Sequence, residues 1–156
     1  MQNSQKISPE QIFSGQTEYS EDQFRHDVLN IYKISNENSN SEASLNALIN
    51  RILEDIKTNN EPDDLLKQFY QLFYYKFDLD NEEVKIVILR NDFQNMSLLT
   101  FYLYLVYASK LNYRYENGQL TKNQYLKIKK RYSESYIEFM EEWEIHKSLL
   151  DIAATS

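Results

Sequence analysis

Two histidines and no cysteine are a narrow stock for chemistry in a chain of 156 residues. The histidines are His26 and His146. The dipeptide His26-Asp27 has the composition of a metal-phosphohydrolase ligand pair, but that chemistry needs a further metal-binding His upstream, and none precedes His26. A carboxylate-bridged di-iron bundle needs Glu three residues before His on two helices. Gln23 and Trp143 hold those positions. Without Cys there is no thiolate zinc site, disulfide or thiol nucleophile.

The acids Asp78, Asp80, Glu82 and Glu83 invite a calcium-loop reading. An EF-hand needs Gly at its sixth position and a carboxylate at its twelfth. Counted from Asp78, those positions are Glu83 and Leu89. Adjacent carboxylates such as Glu141 and Glu142 are common on solvated helices. Only two Gly are present, too few for a phosphate-cradling loop. No nucleophile–base pair emerges. The expectation is a protein that is not an enzyme and uses no metal or cofactor.

Charge carries more information than catalytic chemistry does. From Lys110 to Arg131 lie Lys110, Arg114, Lys122, Lys127, Lys129, Lys130 and Arg131, opposed only by Glu116, for a local charge of +6. The remainder holds 10 basic and 23 acidic residues, or −13, within a chain of net charge −7. Tyr113, Tyr115, Tyr125 and Tyr132 interleave with the basic set. Glu134, Glu138, Glu141, Glu142 and Glu144 follow it. On one helix this order runs against the macrodipole, which favours acids first and bases last. Lys127 with Arg131, Glu134 with Glu138, and Glu138 with Glu142 are like pairs four apart. Each costs an isolated helix about 0.2–0.5 kcal/mol. Countercharges must come from a neighbouring helix or from a partner.

The elements that position these charges are helical. Ser97 to Tyr115 is apolar or aromatic on almost every side, as a helix at the centre of a domain would be. It is expected to end at Gly118. Thr121-Lys122-Asn123-Gln124 has capping-box spacing and opens a last helix over about 122–150, with Tyr125, Ile128, Tyr132, Tyr136, Phe139, Trp143 and Leu150 on its core side. The short connection makes an antiparallel hairpin whose tip gathers the basic residues.

Upstream, Ser20-Glu21-Asp22-Gln23 opens a helix over about 21–34. The stripe Leu45, Leu48, Ile49, Ile52, Leu53, Ile56 marks another over about 42–58. Pro62-Asp63-Asp64 starts a third, carrying Leu65, Leu66, Phe69, Tyr70, Leu72, Phe73 and Phe77. Asp80 and Glu83 are spaced to cap a short helix. Val84 to Leu89 is rich in β-branched residues, which suit strands. No second strand is present to pair with it, so helix is expected. Residues 1–19 read as a loosely structured segment in which Ser8-Pro9-Glu10 starts one turn, pinned by Ile12 and Phe13.

The fold class is therefore all-α: a single domain over residues 20–150, five or six helices around the 97–116 helix, with 151–156 as a tail. The 13 Tyr suit half-buried positions, ring packed and hydroxyl wet. The polar N-terminus lacks a secretory pattern. The apolar run Leu98 to Ala108 is shorter than the roughly 20 residues of a membrane span. A cytoplasmic protein without membrane contact is expected.

Three functional readings follow. The first is a non-catalytic interaction module (adaptor, accessory subunit or regulator) that binds other proteins through the basic hairpin tip and the acidic end of the last helix, where Glu138 and Glu142 stand. Ile145 and Leu149 lie off the core stripe and extend that contact. Segregated opposite charges also suit self-association into a homo-oligomer. The second is a subunit of a nucleoprotein complex, with Arg114, Lys122, Lys127, Lys130 and Arg131 on nucleic-acid phosphates and Tyr113 stacking. The third is an acidic inhibitor that mimics nucleic acid along Glu134 to Glu144. The first is preferred, because the second works against a −13 background.

Overall fold

The computed structural model describes the backbone of residues 7–35, 42–65, 67–69, 71–72 and 82–155. It describes side chains for 7–31, 45–65, 67–69, 71–72, 97–142, 144 and 145. The described residues form an all-α bundle with no strand. The helices are α1 (Pro9–Phe13), α2 (Glu21–Ser35), α3 (Glu42–Lys57), α4 (Glu82–Glu116) and α5 (Lys122–Thr155). A 3-10 turn spans Pro62–Asp64, and the described residues from 65 to 72 are helical.

The centre is α4. Residues Leu103 through Ala108 are all buried, which only a helix surrounded by others allows. It packs against α1, α2, α3 and α5. The α3 stripe, Leu45 to Ile56, is buried at every predicted position. Each such side chain contributes about 1.5–3 kcal/mol relative to full exposure. From α2, Phe24, Val28 and Ile31 join the same core.

Two elements are longer than expected. Val84 to Leu89 is helical, but it belongs to one 35-residue helix rather than to a short one before the centre. Neither Gly nor Pro occurs between Glu82 and Glu116, so nothing breaks it. The last helix runs on to Thr155 instead of stopping near 150, because Asp151-Ile152-Ala153-Ala154 holds no terminating residue.

The N-terminal segment, read as loose, is docked over residues 7–19. The Ser8 hydroxyl accepts from Gln11 N–H at 3.3 Å and the Gln11 side chain accepts from Ser8 N–H at 2.9 Å, a reciprocal cap for α1. Ile12 and Tyr19 are buried, and the Tyr19 N–H donates to Ser109 Oγ at 2.8 Å. Phe13 meets Tyr132 edge-on at 5.0 Å.

The 78–81 acids, Leu66, Tyr70, Phe73 and Phe77 lie outside the described residues. So do the side chains of Tyr32, Trp143, His146, Leu149 and Leu150.

Candidate functional site

The hairpin of α4 and α5 carries the charged residues. Thr121 caps α5 with both bonds of a capping box: its hydroxyl accepts from Gln124 N–H at 3.1 Å, and Gln124 Oε1 accepts from Thr121 N–H at 2.8 Å. The end of α4 is a Schellman turn. Gln119 N–H donates to the Arg114 carbonyl at 2.8 Å and Gly118 N–H to the Tyr115 carbonyl at 3.1 Å, with Gly118 at φ +75°. Contacts then pair Tyr115 with Tyr125, Tyr107 with Tyr132, and Tyr104 with Tyr136 and Phe139, so the two helices run antiparallel.

Their interface is lined with phenols whose hydroxyls are satisfied inside the fold. The Tyr132 hydroxyl donates to the Tyr104 carbonyl at 2.7 Å. The Tyr104 hydroxyl and Ser135 Oγ share a hydrogen bond of 2.6 Å. The Tyr107 hydroxyl donates to the Asn59 carbonyl at 2.7 Å. Burial pushes the pKa values of Tyr104, Tyr107 and Tyr132 well above the ordinary phenol range. Tyr19 shifts the same way, by burial first and then by its hydrogen bond to the Asp27 carboxylate.

The basic set divides in two. Four of its members are engaged within the fold. Arg114 is only 8% exposed; its guanidinium donates to the Asn59 carbonyl at 3.2 Å and to Asn60 Oδ1 at 2.8 Å. It clamps the loop after α3 and is therefore not part of an exposed basic tip. Arg131 reaches the 3-10 turn and holds Asp63 Oδ2 with two nitrogens, at 2.6 and 2.9 Å. It also lies 3.4 Å from Glu134 and 3.6 Å from Glu138. Asp63 is thus the countercharge that the wrong-way helix needed from a neighbour. Lys110 pairs with Glu21 of α2. Lys129 lies over the Phe13 ring at 5.1 Å, a cation–π contact that pins α1.

Lys122, Lys127 and Lys130 remain exposed, and none makes an ion pair with another described residue. Lys127 and Lys130 line a shallow cleft of about 460 Å³ with Asn123, Gln124 and Leu126. Tyr113 is 59% exposed but does not join them. It lines a separate cleft of about 340 Å³ between α1 and α4, with Glu18 and Glu116. Further along α5, Glu138 and Glu142 are exposed, as are Glu141 and Glu144. His26 is exposed, on the side of α2 away from the buried Phe24, Val28 and Ile31. Among the described residues no group of three His, Asp or Glu could hold a metal ion. No described helix is long and apolar enough to cross a membrane.

Two exposed apolar residues escaped the sequence reading. Leu126 is 47% exposed and Ile137 is 56% exposed, joining Ile145 at 59%. Leu126 and Ile137 are eleven residues apart, about three turns, and share the face of α5 opposite its core stripe. Their absence from the i, i+3, i+4 core pattern was the available signal. That outer face therefore carries lysines and Leu126 in its first half, Ile137 at its middle, and glutamates with Ile145 beyond.

No family model, curated protein or solved structure matches this chain.

Proposed function

We propose that the chain is a non-catalytic protein-interaction module, an adaptor or accessory subunit, that works through the outer face of α5. One observation carries the reading: exposed apolar side chains and exposed, oppositely charged segments lie on a single helix face. Buried interface centres are apolar and their rims polar and charged, and charge placement fixes orientation and register. Leu126, Ile137 and Ile145 provide the apolar contacts. Lys127 and Lys130 orient a partner at one end, and Glu141 and Glu144 at the other.

The nucleic-acid reading has less to draw on. Arg114 and Arg131 are committed inside the fold, which leaves Lys122, Lys127 and Lys130 for phosphates. Tyr113 opens toward Glu18 and Glu116, a poor setting for a phosphate backbone.

The test is a tagged pull-down from the native cell after nuclease treatment, with a matched Lys127→Glu/Lys130→Glu bait. The module reading expects protein partners that survive nuclease and are lost from the double variant. Recovery of nucleic acid, lost with that variant and with added salt, would replace it with phosphate binding.

A further inference from the structure

We propose that the first partner of the outer α5 face is a second copy of this chain, docked antiparallel about a two-fold axis. The inference deepens the interaction-module reading and rests on it, since it takes the same face as a protein-binding surface. Charge complementarity is the argument. Between Lys122 and Arg131 the helix holds five basic residues and no acid; between Glu134 and Glu144 it holds five acids and no base. Two such helices laid parallel would set like charge on like. Laid antiparallel, each basic half meets an acidic half.

A specific register satisfies both charge and apolar content. With the axis passing between positions 135 and 136, residues equidistant from it face each other across the pair. Lys130 then meets Glu141 of the second copy, and Lys127 meets Glu144. Leu126 meets Ile145 at each end. By the same rule Ile137 of each copy meets Glu134 of the other beside the axis, so the centre of the contact sets two isoleucines against two glutamates whose carboxylates reach Arg131 of their own chain. All of the facing side chains are exposed in the single chain. Lys127, Lys130, Glu141 and Glu144 make no ion pair with any other described residue. A two-fold contact uses one patch on both copies and closes on itself, so it yields dimers and not filaments. It also supplies the countercharges that α5 lacks beyond Asp63.

Sedimentation velocity on the purified full chain tests this. The expected result is a concentration-dependent monomer–dimer equilibrium that weakens by about tenfold or more on going from low to high salt. Lys127→Glu/Lys130→Glu and Glu141→Lys/Glu144→Lys should each be monomeric at concentrations where the wild type is dimeric. An equal mixture of the two variants should associate again, because one chain is then acidic and the other basic along the whole face. Restoration on mixing cannot arise from damaged folds. A wild-type chain that stays monomeric at low salt overturns the proposal. So do variants that dimerise like the wild type, a mixture that stays monomeric, or an open-ended series of oligomers. A monomeric chain that still captures another protein through Lys127 and Lys130 would remove the dimer and leave the adaptor reading standing.

Discussion

Arg114 and Lys127 are indistinguishable as cations in the sequence, yet they do different work. Arg114 is buried against Asn59 and Asn60, while Lys127 is exposed on α5. Arg114→Ala should lower unfolding free energy by about 1.5–3 kcal/mol, the range for hydrogen bonds to a charged group, measured by urea denaturation. Lys122→Ala should stay within about 0.5 kcal/mol, as exposed substitutions do. Tyr104 and Ser135 make a second case. Removing one partner strands a buried hydroxyl, so Tyr104→Phe or Ser135→Ala should each cost about 1–3 kcal/mol, while the double variant should cost less than their sum. The sequence could not foretell either role. Arg114 needs the loop after α3 to return beside it. Ser135 is a polar residue on a face whose other members are aromatic or aliphatic, and only the approach of Tyr104 explains its burial.

At the scale of elements, much was legible, for local reasons. Helix starts at Ser20 and Thr121 and the stop at Gly118 are written in residues that bond within four or five positions of themselves. The α3 stripe and the all-round apolar centre follow from periodicity. What was not legible is the union of 82–96 with 97–116. Polar residues such as Asn91, Asp92 and Asn95 interrupt the apolar pattern without breaking a helix, since only Gly and Pro do that strongly. The docked N-terminal segment was also missed beyond its one turn, because its contacts with α4 are about 90–100 residues distant in sequence. Gly118→Ala tests the hairpin turn. A Cβ there meets nothing within 4 Å, so the cost, about 1–2 kcal/mol, comes from the left-handed backbone alone and should appear as a lowered thermal midpoint. Leu105→Asp, at the 2%-exposed centre of α4, should leave the chain unfolded by circular dichroism, because a buried unpaired charge costs several kcal/mol.

For the whole molecule, the buried phenols set a limit on the alkaline side. Tyr19, Tyr104, Tyr107 and Tyr132 ionise less readily in the folded chain than in the unfolded one. Their neutral forms contribute stability that is fully present below the ordinary phenol value of about 10 and is lost as pH rises above it. Each should lower stability by about 1.4 kcal/mol per pH unit in that range. Thermal midpoints measured across the alkaline range should fall steeply, with tyrosinate absorbance appearing together with unfolding. The outer face of α5 lies on the far side of that helix from these rings, which leaves it free for a partner. Photo-cross-linking in the native cell addresses that claim most directly. A photoreactive residue at Leu126 or Ile137 should join the chain to protein, its own copy or another. The same residue at Glu54, whose side chain is 72% exposed on α3, should not. Equal cross-linking from all three positions, or none from Leu126 and Ile137, would contradict the account.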